Sequence, residues 1–289
     1  MARLDIRRTH KLYIGGAFPR SESGRCYAVA DAKGGFVANA ALASRKDARD
    51  AVVAARAAVG GWSGATAYNR GQVLYRVAEM LEGRREQFTT EVATAEGLSA
   101  KKAGEVVDAA IDRWVWYAGW TDKLVAVYGS TNPVAGPYFA FSTLEHTGVV
   151  AVLAPQASSL LGLVSVVAPA LVTGNTVVVA ASEDRPLPAV SLAEVLATSD
   201  LPGGVVNILT GRTAELAPHL ARHMDVNAID LTGLAGRIEL AAELERAAAD
   251  NLKRIVRAPG QEPDWRSVPD PQRMLALTET KSVWHPAGR

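Results

Sequence analysis

The chain has 289 residues, 48% hydrophobic and 21% charged, and its 31 basic and 30 acidic residues leave a net charge of +1. That length allows one large or two modest domains with a substantial core. The even charge, with no basic block, excludes electrostatic docking on nucleic acid or an anionic membrane as a main activity.

Before any element is placed, three further classes fall away. The longest apolar stretch, LLGLVSVVAPALV from Leu160, is too short to span a bilayer and contains Pro169. The N-terminal MARLDIRRTHKLY has charges but no apolar run after them, so no secretory leader is expected. The single cysteine, Cys26, excludes an internal disulfide framework and fits a reducing, cytoplasmic compartment.

In chain order, residues 11 to 43 carry glycine-rich turns (IGG, AKGG) between short apolar segments, which predicts small antiparallel strands. Cys26 sits in one of them. No histidine lies near it in sequence and no helix N-terminus would activate it, so it reads as a strand residue rather than a nucleophile. Ser44 with Asp47 three residues later forms a capping-box spacing. The helix it opens carries Val52, Ala55 and Val59 on one face and is expected to stop at Gly60-Gly61. A second helix is predicted from Asn69 to Ala95, with Val73, Val77, Met80 and Leu81 inward. A third follows Ser99, and its Val107, Ile111, Trp114 and Tyr117 recur at helical spacing. That aromatic stripe reads as core, because the spacing is what buries one face.

From Leu124 the texture becomes extended, broken at Asn132-Pro133 and Gly136-Pro137, which predicts a hairpin. An alternation of short β-branched runs and helices follows. Strands are expected at 149–153, 176–180, 205–209, 227–231 and 252–256, with helices at 160–172, 189–198, 214–223 and 237–249. Gly174 is the expected left-handed stop of the first of these helices. The fold class is therefore α/β, a parallel sheet with helices on both faces, and ligands of such sheets gather at the carboxyl ends of the strands. The expected organisation is N-terminal strands and helices over 1–123, a hairpin arm over 124–147, the α/β core over 148–258, a proline-rich linker over 259–272 and a closing strand over 273–289. In that strand Thr278, Thr280, Ser282 and Trp284 would share one face, and Leu277, Glu279, Lys281 and Val283 the other.

Two pairs at i, i+4 spacing need weighing. His219 and His223 have the spacing of two metal ligands, but no third ligand pairs with them, so no metal site is expected. Asp108 and Asp112 stack on one helix rather than facing across a cleft, which suits a solvated face better than acid–base work.

The order of elements, and the stretches DAVVAARAAVGGWS, TLEHTGVVAVLAP, APALVTGNTVVVAASEDRPLPA, LPGGVVNILTG, DLTG and NLKRIV, resemble the aldehyde dehydrogenase superfamily from about residue 11 to 257. The resemblance implies a Rossmann-like core and a nicotinamide cofactor, NAD or NADP. In that family a cysteine thiolate attacks the aldehyde, hydride leaves to the nicotinamide, and a glutamate activates water. An asparagine and a backbone amide hold the oxyanion, because donors must be in place where charge develops. Here Ala157, in Pro155-Gln156-Ala157-Ser158-Ser159, stands where the family has that asparagine. Ala180 stands for the ribose-binding lysine, whereas Glu183 matches the ribose-binding glutamate. In the pyrophosphate turn Thr232 and Gly233 match, but the serine is Leu234 and the next glycine, Gly236, comes early. Ala258, in NLKRIVRAPGQ, replaces the base.

After this point the family has a long catalytic domain bearing the cysteine. Here the proline-rich stretch leads directly to LALTETKSVWH, similar to the family's C-terminal oligomerisation strand, so the resemblance implies that the catalytic domain is excised. Leu277, Thr278, Thr280, Lys281, Val283 and Trp284 are the implied oligomerisation residues. The chain resembles the degenerate, cysteine-less second module of two-module aldehyde dehydrogenases. The leading expectation is a non-catalytic subunit that binds NAD or NADP weakly or not at all. Its partner would be a catalytic aldehyde dehydrogenase subunit or further copies of itself, with neither nucleic acid nor membrane involved. The alternatives are a stand-alone nicotinamide-nucleotide-binding module, and an oxidoreductase with residual activity, for which Cys26 is the only available thiol.

Overall fold

The computed structural model describes residues 8–287. Residues 1–7, part of the stretch read as lacking a leader, and 288–289, the end of the predicted closing segment, lie outside the described residues. The early turns give β1 (Thr9–His10), β2 (Cys26–Ala30) and β3 (Phe36–Ala41). β2 and β3 pair antiparallel as expected, but β1 joins β3 in parallel. Ser44 caps α1 (Arg45–Gly64): its Oγ accepts from the amides of Lys46 and Asp47, and the Asp47 carboxylate accepts from the Ser44 amide. The helix runs through Gly60-Gly61 instead of stopping there. Trp62, 2% exposed, turns inward and donates from Nε1 to the Leu171 carbonyl at 3.1 Å. Burying an indole outweighs a cost of about 1 kcal/mol per helical glycine.

The helix expected over 69–95 is two, α2 (Ala67–Glu82) and α3 (Arg85–Glu96), separated at Gly83-Arg84. The break lets Leu81 and Phe88 both be buried, each from its own helix. α4 (Ala100–Ala118) buries Val107, Ile111, Trp114 and Tyr117, the stripe read as core. A short α5 (Leu124–Tyr128) precedes the hairpin of β4 (Ser130–Asn132) and β5 (Tyr138–His146).

The α/β rhythm then unfolds as read. β6 (Val149–Leu153), α6 (Leu161–Val172), β7 (Thr176–Ala180), α7 (Leu187–Leu196) and β8 (Val206–Leu209) come first. α8 (Thr213–Arg222), β9 (Ala228–Asp230), α9 (Ile238–Ala248) and β10 (Arg254–Val256) follow. Gly174 takes the left-handed φ of 87° that ends α6. α10 (Gln272–Leu275) and β11 (Thr278–Pro286) close the described chain.

β6 to β10 form one parallel sheet in the order β10-β9-β6-β7-β8. Because successive side chains alternate in direction, its strands feed two separate cores. Val150, Val152, Val177 and Val179 pack with α6, α7 and the α2–α4 helices; Val149, Ala151, Leu153, Val178 and Ala180 pack with α1, α8 and α9. The crossovers change face between β6 and β9, and the carboxyl ends of those two strands border the crevice where such sheets receive ligands. β11 returns to pair antiparallel with β5 over nine residues, from Thr278 opposite His146 to Pro286 opposite Tyr138.

Candidate functional site

The β6/β9 crevice is built from the loop after β6, the turn after β9 and a segment that arrives from the proline-rich stretch. A 3-10 turn, Thr232–Leu234, follows β9. Its Gly233 is required by contact: a Cβ there would fall 2.2 Å from the Ala154 carbonyl oxygen and 2.5 Å from that of Leu153. The turn's backbone thus rests on the end of β6. Asp230, the last residue of β9, is buried, and its Oδ1 accepts from the Thr232 amide at 2.8 Å. Arg273 of α10 comes within 3.4 Å of Asp230 Oδ2 and 3.4 Å of Thr232 Oγ1. Burial pushes the Asp230 carboxyl above the usual carboxylate range; Arg273 and the two Thr232 hydrogen bonds pull it back only in part.

The segment that carries Arg273 is docked along its length. Glu262 accepts from the Ala157 amide at 2.9 Å and the Ser158 amide at 2.9 Å, and also from Trp265 Nε1 at 3.0 Å. Trp265 is 8% exposed, its ring 5.0 Å from the Arg273 guanidinium carbon. Arg113, buried on α4, donates to the carbonyls of Trp265 at 2.7 Å and Ser267 at 3.0 Å, and to Ser165 Oγ at 2.8 Å. On the other side of the loop Glu96 accepts from both the amide and the hydroxyl of Ser159, each at 2.7 Å.

Ala157 is exposed at the mouth of this crevice and offers only its backbone, while Ala258 is half-buried against the apolar core beneath α9. Ala180 and Leu234 are both buried in that core. Glu183 lies just beyond β7. Its Oε1 accepts from the Thr213 amide at 2.8 Å, capping α8, and Arg212 and Arg237 flank the carboxylate at 3.7 and 3.6 Å. The amides of Leu234, Ala235, Gly236 and Arg237 donate to Leu231, Thr232, Pro259 and Leu234 carbonyls. The structure therefore brings Thr232, Gly233 and Ala157 around one crevice, and leaves Glu183 beside it in an ion-pair cluster.

Glu262, Trp265, Arg273, Asp230 and Arg113 were not marked by sequence reasoning. A tryptophan inside a polar, proline-rich stretch was the available signal, since an indole seldom stays in water without cause. Cys26 is exposed on β2, and His10 lines the same shallow depression of about 240 Å³. His219 and His223 line a groove with Arg45, Arg49 and Arg222. Burial first, then the Arg45 and Arg222 charges, pull the His219 imidazole below its ordinary value. Asp108 is held in an ion pair by Arg85.

The arm separates its two faces as the alternation requires. Ser282 Oγ lies 2.9 Å from Ser142 Oγ, and the Trp284 ring packs edge-on against Tyr138 at 5.8 Å. On the opposite face Lys281 pairs with Glu145 at 2.9 Å, and Arg254 grips Glu279 through two bonds of 2.7 Å. Leu277 and Thr278 are buried at the root of the strand, where the Leu277 carbonyl accepts from Asn175 Nδ2 at 2.8 Å. Thr280, Lys281 and Trp284 are exposed and Val283 is half-buried. No helix among the described residues is long and apolar enough to cross a membrane.

A doubly wound parallel sheet with a crevice at its switch point and a β arm defines a protein of the Rossmann-like α/β class. The profile of the aldehyde dehydrogenase family matches residues 18–268, and the chain belongs to that family. It is 34% identical over 258 residues to retinal dehydrogenase 2 of Gallus gallus, covering 87% of this chain and 48% of that protein. It is 32% identical over 263 residues to cytosolic 10-formyltetrahydrofolate dehydrogenase of Pongo abelii, covering 86% and 28%. Among solved structures, the NAD+ complex of aldehyde dehydrogenase from Bacillus cereus superposes with a TM-score of 0.80 at 26% identity, covering 86% of this chain and 50% of that one. The chain thus spans about half the length of the retinal and B. cereus enzymes.

Proposed function

We propose that this chain is a non-catalytic member of its family that serves as a structural or regulatory subunit, assembling through its β arm with a catalytic aldehyde dehydrogenase or with further copies of itself. The arm carries the reading. Its sheet has the order β11-β5-β4, so β11 and β4 are edge strands, and Trp284 and Phe139 are 60% and 53% exposed beside them. Edges of this kind recruit a partner strand. The non-catalytic half of the reading rests on chemistry: Ala157 has no side-chain donor, Ala258 has no carboxylate, and the one thiol, Cys26, sits on the small N-terminal sheet rather than at the carboxyl end of the main one. Loss of one oxyanion donor alone typically costs about a hundredfold in rate.

The test is to mix the purified chain with a catalytic aldehyde dehydrogenase and follow size-exclusion with light scattering, together with the partner's activity and thermal stability. Co-elution with a change in either property is expected. A mixture that elutes as two unaltered proteins would sink the reading.

NAD or NADP is the cofactor that family membership suggests, and the B. cereus relative is an NAD+ complex. Glu183 and the Thr232-Gly233 turn are the residues that would meet it. Glu183 is already committed to Thr213, Arg212 and Arg237, which supports weak or absent binding. An oxidoreductase with residual activity would need Cys26, and aldehyde oxidation that survives in Cys26→Ala would exclude that route.

A further inference from the structure

The residues present do not fit a dinucleotide, and the misfit is specific. The Ala157 and Ser158 amides, which lead from β6 toward α6, point at the Glu262 carboxylate. The Gly236 amide, in the turn before α9, points at the Pro259 carbonyl. The buried Asp230 and Thr232 at the end of β9 face Arg273. These positions border the β6/β9 crevice, and each is met by the stretch that follows β10. We infer that residues 259–273 are a built-in occupant of the crevice, and that this segment and a nicotinamide dinucleotide cannot be bound there together.

Three features mark the segment as a fitted occupant rather than a slack connection. Gly162, near the start of α6, leaves space for it: a Cβ there would lie 3.0 Å from Trp265 Nε1 and 2.9 Å from the Ser158 Cβ. Arg113, reaching from α4, which packs beside α6, holds two of its carbonyls while also bonding Ser165 of α6. Beyond Arg273 the chain is anchored again, because Met274 and Leu277 are buried in the core shared with α6. The charge pattern is also wrong for a pyrophosphate. Two consecutive amides at the crevice hold a carboxylate of the protein's own, and a phosphate entering the crevice would have to displace it or lie against it.

This inference concerns the crevice alone and does not depend on the arm or its partner, so each can fail without the other. The test uses the full chain and two readouts. Titration calorimetry with NAD+ and NADP+ measures binding, and tryptic cleavage after Arg266, at the exposed middle of the segment, reports whether the segment is seated. The comparison variants are Glu262→Gln and the more open Glu262→Ala with Trp265→Ala, each checked for native circular dichroism. The wild-type chain should show no saturable binding tighter than about 1 mM, and cleavage at Arg266 indifferent to nucleotide. The opened variant should gain at least about tenfold in affinity. If wild-type does bind, cleavage at Arg266 must accelerate with saturation. Sub-millimolar binding with unchanged cleavage would show segment and nucleotide side by side and overturn the inference. So would a folded, opened variant that gains no affinity; if the double variant fails to fold, Glu262→Gln takes its place and the same outcome overturns the inference.

Discussion

Arg273 sets its guanidinium 3.4 Å from Asp230, a carboxylate 2% exposed at the end of β9. An arginine from one end of the sequence thereby offsets a charge that the sheet itself has buried. Because burial raises the Asp230 carboxyl above its unfolded value, the folded chain keeps this proton at pH values where the unfolded chain has lost it. Stability therefore falls as pH rises from the unfolded value through the folded one. Arg273→Met removes the offsetting charge. It is expected to cost about 2 kcal/mol at pH 8 and less at pH 5, because the charge that is lost favoured only the ionised form of the carboxyl. Urea unfolding at the two pH values measures the difference; an equal loss at both would mean that the pair does not act through ionisation.

Glu262 accepts three hydrogen bonds, two of them from consecutive backbone amides. Glutamine at this position keeps one acceptor oxygen and loses the charge. Glu262→Gln should cost about 1–2 kcal/mol. Hydrogen exchange should quicken at Ala157 or Ser158, the amide left without an acceptor, while exchange in β6 stays slow.

At the other end of the chain Asp47 does more than complete a helix cap. It accepts from the Ser44 amide at 2.8 Å, the Ser21 hydroxyl at 2.8 Å and the Glu22 amide at 3.1 Å, tying the loop before β2 to α1. Asp47→Ala strands the Ser44 and Glu22 amides, while the Ser21 hydroxyl keeps Ser23 Oγ in range at 2.9 Å, and should cost about 2–3 kcal/mol in urea unfolding, with Asp47→Asn recovering part of the loss.

Arg254 and Glu279 join β10 to the arm by two short bonds, but both side chains are substantially exposed. The effect of Glu279→Gln should accordingly stay near about 0.5 kcal/mol and fade at high salt. Arg254 holds the Glu279 carboxyl below the usual range, so this contribution is present above the unfolded value and is lost as pH falls through the folded one. Melting curves at low and high salt check the size and the screening together.

The core was legible because its signals are local and repeated: β-branched runs alternating with helices, a cap at Ser44, a left-handed stop at Gly174. Misreadings fell where tertiary burial overrode a local rule. Gly60-Gly61 reads as a stop until Trp62 is seen to reach the Leu171 carbonyl, and Gly83 looks like an interior glycine until Phe88 is seen to need its own helix. The carbon-only side chains at Ala157 and Ala258 could be read directly, since a missing functional group is a property of the residue. The occupant of the crevice could not. Residues 259–273 carry no periodicity, and what seats them is a set of partners from 113, 157, 158 and 230, distant in sequence and ordinary there.

The register of the arm has a practical consequence. Pro286 lies opposite Tyr138, and the Ala287 amide donates to the Pro137 carbonyl at 2.8 Å, so the far end of β11 rests on the hairpin tip. A bulky label coupled at Ala287 would therefore sit at the hairpin tip, beside the strands that a capture experiment is meant to leave open, and a failed pull-down could be the fault of the handle. The turn at Lys33–Gly35 is a better attachment point: Gly34 has no neighbouring atom within 4 Å of where a side chain would begin, and it belongs to a different sheet.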